Sequence, residues 1–210
     1  MRSRRGSFVA IVGPDGVGKT TLANHLLDLA PEPTGYVHFR PRILESLPSR
    51  PGSLTMVSLD KHPPKNRFLG WLHLSASIPR FWIGYLTKVM PVLKRGGTVV
   101  ADRWAYGYVA QPEALRFFGP PRLARFAIRI IPRPDLVINL AASPQLIASR
   151  KGELSEEAIG AELDLWESLP VEPIRTLDAN LSPEDLALRA LSELESIART
   201  HREDGRGDRV

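Results

Sequence analysis

Apolar and polar positions along the chain alternate between two periods. Phe8-Val9-Ala10-Ile11-Val12 is an unbroken apolar run, the pattern of a strand buried on both faces. Thr20 to Leu29 follows with helical spacing and stops before the breaker Pro31-Glu32-Pro33. Tyr36–Phe39, Thr98–Ala101, Leu136–Leu140 and Ile174–Leu177 repeat the short apolar run and predict four more strands. Between them, Arg67 to Lys94 is apolar with helical character, interrupted at Pro79 and closed by Arg95-Gly96-Gly97. Residues 105–131 read as mostly helical, with a helix start at Pro120-Pro121, and helices are expected over Pro144–Arg150, over Ser155–Ser168 and from Ser182-Pro183-Glu184 onward. Strands alternating with helices predict an α/β architecture of about five parallel strands, with helices on both faces. The proline-rich stretch from Pro41 to Pro64 reads as a functional loop, and the charged residues 201–210 as a disordered tail.

A chain of 210 residues suits one domain, here residues 1–200. There is no cysteine, which excludes disulfide scaffolds, thiolate metal sites and cysteine nucleophiles. The five histidines show no metal-binding spacing. The basic start Met1–Gly6 leads directly into a glycine motif rather than a signal-peptide core, and no apolar window is long enough to span a bilayer. The expectation is a cytoplasmic protein without stable membrane insertion and without a nucleic-acid partner. The net charge of +5 is compatible with nucleic acid, an anionic membrane or a phosphorylated ligand, and does not choose among them.

The chemistry sits in Gly13-Pro14-Asp15-Gly16-Val17-Gly18-Lys19-Thr20, a complete phosphate-binding loop between a buried strand and a helix. Glycines there let backbone N–H groups point at phosphate oxygens, and the helix adds the positive end of its dipole. Lys19 is expected to reach the β and γ phosphates of ATP and Thr20 to offer its hydroxyl to Mg²⁺. Gly13, Asp15, Gly16, Val17, Gly18, Lys19, Thr20 and Thr21 form the expected nucleotide-binding set. The fold class is therefore a P-loop NTPase three-layer sandwich. Asp102, closing the run Val99-Val100-Ala101, is the candidate partner for magnesium, and Arg103 the candidate donor to an acceptor phosphate or to the transferring group. Arg150-Lys151-Gly152-Glu153 falls between two helices and predicts a mobile lid over about 150–156, with Arg150 stabilising phosphoryl charge.

These residues resemble the thymidylate kinase family. Asp15 lies inside the phosphate loop as in the family's Asp-Gly pattern, and Asp102-Arg103-Trp104 with Tyr106 and Ala110 resembles its Asp-Arg-Tyr segment. Leu177 to Glu184 looks like its adenine loop, which adds Asn180 to the nucleotide site. The resemblance implies an ATP- and Mg-dependent nucleoside monophosphate kinase, with Arg103 and Arg40 on the acceptor's anion and Asp15 facing its sugar. Phe68 and Trp104 are the candidate pocket aromatics. The chain departs from the family at Phe39-Arg40-Pro41-Arg42, where thymidylate kinases usually show Arg-Glu-Pro and two glycines, and at Phe81 and Ile83, where they carry a base-reading arginine and a glutamine. The acceptor is thus left open between a nucleoside monophosphate and a hydroxyl of a sugar or other metabolite, for which Asp15 would serve as base. A nucleotide-hydrolysing switch or motor is disfavoured, because no Asn-Lys-x-Asp motif is present and Arg103 replaces the motor-type glutamate.

Two surface readings remain. Leu123, Phe126, Ala127, Ile130 and Ile131 share one face of a helix whose other face carries Arg122, Arg125 and Arg129; a helix covering the sheet is preferred to one attached to a membrane or partner. Phe68, Trp71, Phe81, Trp82 and Tyr85 read as core or as a base-stacking wall. Family resemblance also suggests a homodimer through Arg67–Lys94, although periodicity does not separate burial within a chain from burial between chains.

Overall fold

The computed structural model describes residues 6–38, 67–115, 117–151 and 155–207. Five strands form one sheet: β1 (Ser7–Val12), β2 (Thr34–His38), β3 (Thr98–Asp102), β4 (Leu136–Ala141) and β5 (Ile174–Asp178). Their order is β2-β3-β1-β4-β5 and every pairing is parallel, as the alternation of strands and helices predicts. Helices lie on both faces: α1 (Lys19–Leu29), α2 (Arg67–Gly84), α3 (Met90–Lys94), α4 (Gly107–Ala110), α5 (Pro121–Ile130), α6 (Pro144–Lys151), α7 (Glu156–Glu167) and α8 (Pro183–Gly207).

Alternate residues of the central strands feed two core layers. Phe8, Ala10 and Val12 of β1 face Phe81, Val89, Ala124 and Trp166, whereas Val9 and Ile11 face Leu22 and Leu26 of α1 and Ala187 and Ala190 of α8. Both faces of β1 are apolar because both are covered, which explains the unbroken hydrophobic run.

Several local expectations shift. Pro79 lies inside α2 rather than interrupting it. The irregularity comes at Tyr85–Val89, a π-helical turn in which the Met90 N–H reaches back to the Tyr85 carbonyl, immediately before Pro91. Proline lacks the N–H an α-helical turn would use there, and the widened turn accommodates that loss. Residues 105–131 contain short helical pieces joined by turns, and α5 begins at Pro121 with proline in its first turn, where no donor is needed. The last helix runs through Gly207, so residues 201–207 are helical where a disordered tail was expected.

The order β2-β3-β1-β4-β5 places the carboxyl ends of β1 and β3 side by side, since β1 pairs with β3 from Ser7–Thr98 to Ile11–Asp102. Connections leave this edge in opposite directions, and that is where open parallel sheets bind ligands.

Candidate active site

At this edge the phosphate loop leaves β1. Gly13 has φ 133° and a Cβ there would stand 2.5 Å from the Leu140 carbonyl oxygen, so glycine is required both by backbone conformation and by space. Gly18, at φ 109°, is the N-cap of α1 and supplies no capping side chain. The first N–H groups of α1 therefore face the loop interior uncapped, beside its dipole's positive end, which is an anion cradle suited to phosphates.

Lys19 is buried and folds back onto its own loop. Its Nζ donates to the carbonyls of Gly13 at 3.0 Å and Pro14 at 2.7 Å, and lies 3.5 Å from Asp15 Oδ1. Thr20 and Thr21 are exposed in the first turn of α1, where their hydroxyls are open to a ligand.

Arg103 meets the same Asp15 carboxylate through Nη2. The geometry that brings it there is costly: Arg103 sits at φ 63° and Trp104 at φ 46°, a region L-residues rarely adopt and that costs about 1–3 kcal/mol per residue. This kink ends β3, and the Arg103 N–H is tied to the Ile11 carbonyl at 2.8 Å. Burial pulls the Arg103 guanidinium below its ordinary range, and the negative charge of Glu162 opposes that shift. Its Nε is buried without a hydrogen-bond partner among the described residues.

Asp102, one residue earlier, is buried and points the other way. Its Oδ2 accepts from the Tyr36 hydroxyl at 3.3 Å and lies 3.2 Å from His38 Nδ1, both on β2, whose His38 is the register partner of Asp102. Burial and the neighbouring carboxylate push the Tyr36 phenol well above its ordinary range, so it remains a donor. Oδ1 of Asp102 is buried and has no partner among the described residues. An orphaned carboxylate oxygen at a strand end beside a phosphate cradle fits magnesium or a water of its hydration shell.

Residues from the far side complete the site's surroundings. Glu162 of α7 accepts at Oε1 from Gln111 Nε2 at 2.6 Å and from Trp166 Nε1 at 3.0 Å, which fixes the carboxylate whose field reaches Arg103.

The structure thus joins Asp15, Lys19, Arg103 and Asp102 in one corner. It handles the other candidates differently. Trp104 is a core residue rather than a pocket wall: it is 1 % exposed, packed edge-on to Phe8 and Phe81, with Nε1 donating to the Pro132 carbonyl at 2.8 Å. Phe68 is 67 % exposed, its ring 6.2 Å from that of Trp71. Asn180 lies in the turn after β5, where its backbone and side-chain amides both donate to Asp178 Oδ1. Ser182 then caps α8 by accepting from the Asp185 N–H. Arg40 lies outside the described residues, as do 152–154 of the expected lid. Arg150 falls in the last turn of α6 and Ser155 caps α7, accepting from the Ala158 N–H, so the lid expectation is bracketed by two helix ends.

Sequence reasoning missed Tyr36, His38, Gln111 and Glu162. The first two depend on the register of β2 against β3, and the others on packing of α7 near the turn after α4; no local spacing announces either.

The arrangement defines a P-loop NTPase fold. The family model described as ABC transporter matches residues 1–69, the part holding β1, the phosphate loop, α1 and β2. Among solved structures, the thymidylate kinase from Candida albicans superposes with a TM-score of 0.61 at 17 % identity, covering 91 % of this chain and 92 % of that one. The thymidylate kinase from Ehrlichia chaffeensis gives 0.52 at 14 % identity, covering 90 % and 98 %. No curated protein matches. The whole chain, not only its phosphate loop, therefore has the fold found in thymidylate kinases.

Proposed function

We propose that this chain is an ATP- and magnesium-dependent kinase that transfers a phosphoryl group to a nucleoside monophosphate. The observation that carries the reading is the Lys19–Asp15–Arg103 cluster: two cations from different elements converge on one loop carboxylate at the mouth of an anion cradle. Lys19 belongs to the nucleotide side, held by carbonyls it can exchange for β and γ phosphate oxygens. Arg103 faces the same centre from β3 and is the donor for the acceptor's phosphate. Asp15, shared between them, holds both cations in place until anionic ligands compete for them. Thr20 and Asp102 would hold the magnesium ion, which supplies charge neutralisation at the bridging phosphates.

Such a transfer needs no base on the enzyme, because the acceptor phosphate is already an anionic nucleophile. Catalysis then rests on positioning and charge, which is what a strained, buried arginine and a caged lysine provide. Engagement of Asp15 by two cations suits an orienting ion pair better than a proton acceptor, and this favours a monophosphate over a hydroxyl acceptor.

A coupled ADP-release assay with ATP and Mg²⁺ against a panel of nucleoside monophosphates, phosphorylated sugars and free sugars tests the proposal. The expected result is turnover with at least one monophosphate. Turnover confined to free hydroxyl acceptors would transfer the role of nucleophile activation to Asp15 and overturn the acceptor assignment.

A further inference from the structure

The outer surface of α2 is apolar where a covering helix would be polar. Its exposed positions follow the helical repeat and include Trp71, Leu72, Trp82, Ile83 and Leu86, the two indoles 46 % and 43 % exposed. This stripe continues onto α5. Trp82 Nε1 donates to the Ile130 carbonyl at 2.9 Å, joining the two helices, and Phe126 and Ile130 are 58 % and 37 % exposed beside it. The apolar face expected for α5 therefore divides: Ala124, Ala127, Ile128 and Ile131 pack on the core, whereas Phe126 and Ile130 do not. Likewise, of the aromatic group expected to be core or a base-stacking wall, Phe81 is core while Trp71 and Trp82 face outward. Contiguous exposed apolar surface of this kind marks an interaction site.

Its charge identifies the partner. Residues 67–95 hold five Lys and Arg and residues 120–134 hold four, and neither segment contains Asp or Glu. These nine cations exceed the +5 of the entire chain, so the rest of the molecule is net acidic and the positive charge is concentrated around the stripe. Arg80, Arg122, Arg125, Arg129 and Arg133 are all exposed. Tryptophan and phenylalanine within a rim of arginine and without carboxylates is the composition of a surface that enters the headgroup region of an anionic bilayer. A second copy of the chain fits poorly, because a two-fold pairing would set the same cations against each other.

We propose that the α2–α5 face docks the protein on membranes rich in anionic phospholipid. Docking is peripheral: among the described residues no helix is long and apolar enough to cross a membrane. It is independent of the reaction assigned to the site.

The test is partition of the full-length protein onto vesicles of phosphatidylcholine alone or mixed with equal phosphatidylglycerol, followed by cosedimentation and by tryptophan fluorescence. Of the four tryptophans, Trp104 and Trp166 are buried, so a blue shift on binding reports Trp71 and Trp82. Binding to the anionic vesicles with a blue shift, lost in high salt, is expected. Arg125→Glu with Arg129→Glu should lower the partition coefficient by about tenfold or more, and Phe126→Ser should lower it at unchanged thermal stability. Equal partition onto both vesicle types, or none onto the anionic ones, would overturn the proposal. So would sedimentation of a lipid-free dimer that Phe126→Ser converts to a monomer, which would assign the face to a second copy.

Discussion

The nucleotide side and the acceptor side of the site are built from different materials. The nucleotide side is backbone: the glycine φ values, the uncapped N-terminus of α1, and a lysine bonded to main-chain carbonyls. The acceptor side is side chain, assembled from β2, β3, α7 and the turn after α4, with Arg103 held in a strained conformation between Asp15 and the field of Glu162. A backbone cradle recognises any triphosphate and tolerates little change. A side-chain pocket can be rebuilt one residue at a time, and here it differs from thymidylate kinases at Phe39–Arg42, Phe81 and Ile83 while the fold is retained.

That contrast can be broken by substitution. Lys19→Ala should lower kcat by about 10³-fold for every acceptor, measured in ADP release, since it removes a preorganised cation from the transferring group. Because Lys19 bonds only within its loop and not in the core layers, the melting transition should remain within a few degrees of the parent. Trp104→Ala should instead cost about 3–5 kcal/mol in denaturant unfolding, through a cavity between Phe8 and Phe81 and an unpaired Pro132 carbonyl. Phe68→Ala, on the exposed end of α2, should stay within about 0.5 kcal/mol in the same experiment.

Arg103→Ala should raise the acceptor KM by about 10²-fold and leave the ATP KM within about threefold, the loss of a charge-assisted contact on one substrate only. Equal effects on both would merge the two sides into one. Glu162→Gln should be milder, about threefold to tenfold on the acceptor KM. It keeps the size and an acceptor oxygen for Gln111 and Trp166 but removes the charge facing Arg103.

The same difference governs how much could be read from sequence. The loop was legible because its requirements are local: Gly13, Gly18 and Lys19 lie within seven consecutive residues and their conformations follow from glycine itself. The five strands were legible because burial on both faces leaves unbroken apolar runs, although their ends moved by one or two residues. Asp102 and Arg103 stood out only because a carboxylate and a cation follow a buried strand. Trp104 was misplaced for an instructive reason. An aromatic next to the site's arginine looks like a ligand platform, but the positive φ values at Arg103 and Trp104 turn consecutive side chains in opposite directions, the arginine to Asp15 and the indole into the core. His38 and Glu162 were invisible to local reasoning because their contacts span 64 residues in one case and 51 in the other.

Phosphorus NMR of the reaction product tests the central claim most directly. With ATP, Mg²⁺ and the acceptor that releases ADP, a phosphoryl group transferred to a monophosphate appears as a new coupled α and β pair of a diphosphate, distinct from ADP, and this is the expected spectrum. A new phosphomonoester resonance, the signature of transfer to a hydroxyl, or inorganic phosphate alone, the signature of hydrolysis, would contradict the assignment of Arg103 to an acceptor phosphate.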